Sequence, residues 1–154
     1  MNLEYMKLAF EEAQLAFEDG EVPIGSVIVK DDKIIATSHN QKEQKKCATE
    51  HAEILAIRSA SEKINNWRLD GCDIYITLDP CPMCASAIKQ ARIRNVYSAI
   101  QNSDISSRML VEKIFEADST NPSVTFYSNL DVDNGKEILR NFFEKQRKKE
   151  KNQY

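Results

Sequence analysis

No stretch of the 154-residue sequence approaches the roughly 18 apolar residues that a membrane helix needs. No membrane association is therefore expected. Residues 1–6 lack the basic segment and apolar run of a secretory signal, which points to a cytoplasmic protein. Neither sign of charge dominates, since 21 basic and 24 acidic residues leave a net charge of -3. That excludes indiscriminate nucleic-acid binding by the whole surface and leaves room for a local basic patch. Internal repeats and Gly/Ser linkers are absent, and low complexity is confined to a charged tail. Cysteine is sparse: Cys47, Cys72, Cys81 and Cys84 are the only four. Without a secretory signal, a close cysteine pair reads as metal or redox chemistry rather than as a disulfide. What remains is 42% hydrophobic residues in a length that suits one core, so a single domain over 1–154 is expected.

The pattern along the chain supports that frame. Residues 4–19 read as a helix, with Ala9, Ala13, Ala16 and Phe17 on one face and Gly20 as its stop. Residues 24–30 and 33–38 read as strands of a hairpin turning at Asp31-Asp32, followed by a polar loop at 39–50. Helices are expected at 51–64 and 81–91, and strands at 72–78 and 95–100. The signal then weakens to a short helix at 109–115, a short strand at 123–127 and a final helix at 135–149. Helix-strand alternation of this kind implies parallel strands with crossover helices. The expected architecture is a three-layer α/β/α domain with helices on both faces of a mixed five-stranded sheet.

Two short motifs carry chemistry. His51-Ala52-Glu53 opens a helix after a loop. Alone it is weak, because an acid in the first turn also suits the helix dipole. Pro80-Cys81-Pro82-Met83-Cys84 follows a strand directly. Cysteines at i and i+3 share a helix face. Pro82 suits the first helical position, and a helix N-terminus favours the thiolate at Cys81. A redox pair or two core thiols are the competing readings. Together the motifs are more specific. His51, Cys81 and Cys84 supply three zinc ligands, and a catalytic zinc keeps its fourth position for water. Glu53 sits two residues from a ligand, placed to carry protons rather than to bind metal. His-x-Glu with a later Pro-Cys-x-x-Cys is the pattern of zinc-dependent nucleobase deaminases.

Beyond these motifs the chain resembles the bacterial tRNA adenosine deaminases. Glu21-Val22-Pro23-Ile24-Gly25 is similar to the family's entry into its first strand, and His39-Asn40 to the end of its second. Leu78-Asp79-Pro80-Cys81-Pro82-Met83-Cys84-Ala85 resembles the zinc-ligand turn, and Phe142-Phe143 with its basic neighbours resembles the C-terminal helix. The resemblance runs from about Tyr5 to Lys148. It implies a cytidine-deaminase-like fold, one zinc ion per subunit, a homodimer, and conversion of wobble adenosine to inosine in a tRNA anticodon stem-loop. It also implies that Asn40 contacts the target base. One stretch departs from the family's pattern: Asn102-Ser103-Asp104-Ile105-Ser106-Ser107 has no glycine where the family has a Gly-containing loop. That departure leaves open a deaminase of a free base or nucleotide, of guanine or cytosine type.

Other residues have plainer alternatives. Asn40 suits a purine edge, since its amide both donates and accepts, yet asparagine also favours turns. The segment 136–151 holds seven basic and three acidic residues. With Phe142 and Phe143 it suits an RNA backbone and a splayed base, or else an amphipathic helix with one phenylalanine in the core. His39 reads as a surface residue without a role, and Cys72 as a core thiol. Cys47, one helical turn before His51, is the rival fourth ligand. If it closed the site, the metal would be structural and the protein a non-catalytic zinc-stabilised binding module.

Overall fold

The computed structural model describes residues 1–117, 121–130 and 135–152. Five helices and five strands alternate as α1 (Leu3–Glu18), β1 (Gly25–Lys30), β2 (Lys33–His39), α2 (Ala52–Ile64), β3 (Cys72–Leu78), α3 (Pro82–Gln90), β4 (Asn95–Ile100), α4 (Ile105–Glu116), β5 (Thr125–Tyr127) and α5 (Gly135–Lys151). The strands form one sheet in the order β2-β1-β3-β4-β5. β1 runs antiparallel to both β2 and β3, whereas β3, β4 and β5 are parallel. This is the mixed five-stranded, cytidine-deaminase-like α/β architecture that the sequence implies. Parallel strands need crossovers, and α3 and α4 supply them.

Alternation along the strands separates two cores. Ile28, Ile74, Ile76 and Val96 join Ala56, Ala60, Ala85, Ile88 and Phe115 on the face covered by α2, α3 and α4. Val27, Val29, Tyr75 and Ala99 join Met6, Ala9 and Leu139 on the face covered by α1 and α5. Successive side chains point to opposite faces, so one strand feeds both layers. α1 and α2 each present buried alanines at i, i+4 spacing, which lets helix and sheet approach closely.

The closest approach is at Gly25. A Cβ there would stand 1.8 Å from the Ala9 carbonyl oxygen and 2.7 Å from the Ala13 nitrogen. Both are helix backbone, so no side chain can swing away. Gly25→Ala is expected to destabilise the fold by about 3 kcal/mol through overpacking. Thermal unfolding should show a melting point about 6–12 °C lower.

Element boundaries differ from the sequence pattern mainly at α4, which starts at Ile105 rather than near 109. Asn102 Oδ1 accepts the Asp104 N–H, and Asp104 Oδ1 accepts the Ser107 N–H as the N-cap. These caps start the helix four residues early. The periodicity misses it because Ile105, Met109 and Leu110 are exposed and do not report a core face. At the other end of α4, the buried Lys89 ammonium of α3 donates to the carbonyls of Ile114, Phe115 and Ala117. A lysine thus terminates a neighbouring helix. Among the described residues no helix is long and apolar enough to cross a membrane.

Candidate active site

Parallel strands in an open sheet bring ligands to their carboxyl ends, and the site lies there. β3 ends at Leu78 and leads through Asp79-Pro80 into Cys81, the N-cap of α3. His51 is the N-cap of α2. Both positions adopt extended backbone just before a helix begins, so both side chains stand clear of the helices they introduce. Pro82 occupies the first turn of α3, where its missing N–H breaks no helical bond. Cys84 follows one turn later and is fully buried.

The three donor atoms converge. His51 Nδ1 lies 3.7 Å from Cys81 Sγ and 3.5 Å from Cys84 Sγ. Tetrahedral zinc with metal-sulfur and metal-nitrogen bonds of roughly 2.3 and 2.0 Å spaces such donors about 3.5 Å apart. The residues therefore fit zinc in both chemistry and spacing. Proton balance agrees. Contact with Cys84 and with His51 holds the Cys81 thiol down to about 4. The Cys81 contact and burial push the Cys84 thiol far up, and the Cys81 contact raises His51. A divalent cation held there would take both cysteines as thiolates and displace their protons. Among the described residues, only His51, Cys81 and Cys84 form such a group. Cys47 instead contacts the Thr49 hydroxyl at 3.3 Å, so among the described residues no fourth donor joins the group. A zinc ion with three protein donors keeps a position open for water, as catalytic zinc sites do.

Glu53 lies in the first turn of α2 and is 3% exposed. Burial pushes its carboxyl up to about 7, against a backbone hydrogen bond that lowers it. Its Oε2 has no hydrogen-bond partner among the described residues, and the same holds for Asn40 Oδ1 and Ser26 Oγ. Gly25 faces α1, so strand alternation turns Ser26 towards α2. Buried polar atoms are normally satisfied. These three orphans lie at the same end of the sheet as the donor group, where a polar ligand could satisfy them.

The segments around that end of the sheet rest on carboxylates that sequence reading misses. Glu21 is buried and accepts the backbone N–H groups of Glu43 at 3.1 Å and Gln44 at 2.7 Å. Glu50 takes Arg58 Nη1 at 2.5 Å, and that guanidinium holds its carboxyl below the usual range. Gln41 N–H donates to the Glu50 carbonyl at 3.0 Å, closing the loop between Asn40 and His51. Asp79, just before the cysteine turn, accepts the Asn102 N–H at 3.0 Å and the Ser128 hydroxyl at 2.6 Å. The glycine-free segment at 102–107 is thus anchored to the cysteine turn itself.

His39 stands where the sequence pattern did not put it, and Phe142 takes the core alternative that the pattern left open. His39 is not a bland surface histidine: its Nδ1 lies 2.6 Å from Glu12 Oε2 and its Nε2 3.6 Å from Asp19 Oδ2. Phe142 is 5% exposed and packs edge-to-face on Phe17 at 5.8 Å. It lacks the free ring face that base stacking needs, whereas Phe143 is 49% exposed. Asn40 is buried just past the end of β2, its N–H donating to the Ile24 carbonyl at 3.1 Å. Cys72 is a buried thiol at the start of β3, as expected of a core cysteine.

Comparison with known proteins agrees with this geometry. The family model of the MafB19-like deaminases matches residues 1–147. The tRNA-specific adenosine deaminase of Aquifex aeolicus (strain VF5) is 38% identical over 143 residues, which cover 93% of this chain and 94% of that protein. A solved structure from a study of A-to-I editing by tRNA:A34 deaminases superposes with a TM-score of 0.81 at 40% identity. That match covers 90% of this chain and 100% of the other. A guanine deaminase from Bacillus subtilis matches less well, with a TM-score of 0.64 at 30% identity over 94% of this chain and 95% of that one. The chain belongs to the MafB19-like deaminase family, alongside the tRNA-specific adenosine deaminases.

Proposed function

We propose that this enzyme hydrolyses adenosine to inosine at the wobble position of a tRNA anticodon. The observation that carries the reading is the three-donor group His51, Cys81 and Cys84 beside a buried carboxyl at Glu53 whose Oε2 has no hydrogen-bond partner among the described residues. The preference for a tRNA adenosine over a free purine rests on the stronger likeness to tRNA deaminases than to guanine deaminase.

His51, Cys81 and Cys84 would hold one zinc ion per chain. Zinc held by these ligands makes water acidic enough to lose a proton near neutral pH. The remaining chemistry belongs to the protein. Glu53 accepts one proton of the attacking water and passes it to ring nitrogen N1, then takes the proton of the new C6 hydroxyl and delivers it to the departing amine. Water adds at C6, the C6–N6 bond breaks, and ammonia leaves. A carboxyl raised to about 7 can both take and give a proton at neutral pH. Asn40 presents an amide able to donate to and accept from a purine edge. The stem-loop backbone would meet the basic residues of α5, where Lys145, Arg147, Lys148 and Lys149 accompany Phe143. Phe143, rather than Phe142, is the ring available for stacking. A homodimer is part of the same proposal, supported by the exposed apolar residues Ile105, Met109 and Leu110 on α4. The proposed location is the cytoplasm, and the proposed unit a single deaminase domain.

The test is direct. Purified zinc-loaded protein incubated with an anticodon stem-loop bearing wobble adenosine should yield inosine and ammonia. Ammonia from free guanine or cytosine, with the stem-loop unchanged, would replace this reading by the small-molecule one.

A further inference from the structure

We infer that His39 is a positioning residue for Asn40, acting through a clamp onto α1. The inference rests on the function proposed above, in which Asn40 reads the target base.

β2 is an edge strand, hydrogen-bonded only to β1. Strand ends at a sheet edge open more readily than central strands. The last rung here is the Asn40 N–H bond to the Ile24 carbonyl. The Asn40 side chain adds no anchor through its oxygen, which is buried without a hydrogen-bond partner among the described residues. Its orientation is therefore only as definite as the end of β2.

His39 supplies the definition. Its Nδ1 is 2.6 Å from Glu12 Oε2, in the middle of α1, and its Nε2 is 3.6 Å from Asp19 Oδ2, at the C-cap of that helix. The imidazole and the Glu12 carboxylate are both largely buried. One planar ring bridges two points of a rigid helix, which fixes the strand end in both position and twist. Because neighbouring side chains in extended backbone face opposite ways, locking His39 against α1 turns Asn40 towards α2, which carries His51 and Glu53. The same end of α1 leads to Glu21, which holds the loop at Glu43 and Gln44. α1 thus serves as the reference body for one side of the site.

A base contact made in both ground and transition state appears in KM rather than kcat. On the stem-loop substrate, His39→Ala should raise KM about tenfold, since small misplacements of a contact group are costly. Its kcat should stay within about threefold of the parent. His39→Asn should recover most of the loss, because its side-chain amide nitrogen stands where Nδ1 stood. Glu12→Ala, on the helix side of the clamp, should reproduce the His39→Ala effect even if that variant folds poorly. In an Asn40→Ala background, His39→Ala should raise KM no further, because coupled residues are not additive. A general structural role would still cost activity there. Unchanged KM in both His39→Ala and Glu12→Ala overturns the clamp while leaving the proposed function intact. Full additivity with Asn40→Ala does the same. Absence of inosine from the parent protein overturns both together.

Discussion

Glu53→Ala is expected to lower turnover by about 10²–10⁴-fold, the usual contribution of a positioned proton carrier. The loss should fall on kcat, since the carboxylate acts on protons that move only as the reaction proceeds. Metal content should stay at one zinc ion per chain, because Glu53 is outside the donor group formed by His51, Cys81 and Cys84. Glu53→Gln keeps shape and volume and should be nearly as inactive, which would separate proton transfer from packing. Stability provides an independent check. Burial raises the Glu53 carboxyl from its ordinary 4.5 to about 7. A carboxyl raised on folding binds more protons in the folded state than in the unfolded one. Stability of the metal-free protein therefore falls as pH rises from about 4.5 to about 7, and the deficit persists above that. Removing the group removes the deficit, so metal-free Glu53→Gln should melt no lower than the parent at pH 8. Lower activity with equal or greater stability marks a residue kept for chemistry at the expense of the fold. Zinc-loaded Glu53→Ala with parental turnover would remove Glu53 from the mechanism.

How much of this was legible in the sequence depends on how local each signal is. His51, Cys81 and Cys84 could be found because metal ligation requires particular residue types, and each stands at a helix start that capping and proline rules identify. The sheet followed from strands whose mixed apolar runs serve two cores. Glu21, Glu50, Asp79 and Lys89 were invisible. By residue type each looks like a solvated surface charge, and each is buried because of partners that only the fold supplies. Glu21 meets backbone N–H groups 22 and 23 residues away, and Asp79 meets Ser128 49 residues away. Phe142 and Phe143 were indistinguishable in sequence. One helical step, about 100°, decides which of them meets Phe17 and which faces solvent. The early start of α4 did have a sequence signal, since Asp104 is an N-cap residue three positions before Ser107. An apolar pattern that faces outward obscured it.

Stripping the metal should cost both activity and a large part of the stability. The donor group ties the N-terminus of α2 to the N-terminus of α3, so it links two elements that flank β3. Zinc held there would bind the folded arrangement and find no comparable site in the unfolded chain. At free zinc about a thousandfold above its dissociation constant, linkage adds roughly 4 kcal/mol to folding. For a chain of this length, that corresponds to a melting point higher by about 8–16 °C. Loading must also displace protons. Cys84 is the group most strongly biased towards its thiol, through Cys81 and burial, so zinc binding should release protons and weaken as pH falls. Calorimetry in buffers of different ionisation enthalpy would measure the release, and thermal unfolding with and without chelator would measure the stabilisation. Cys84→Ser should lose zinc, turnover and the added melting temperature together. Cys47→Ser should keep all three, since Cys47 contacts Thr49 and not the donor group. The reverse outcome, zinc lost from Cys47→Ser and retained by Cys84→Ser, would mean that the metal sits elsewhere. The proton chemistry assigned to Glu53 would then have no water to act on.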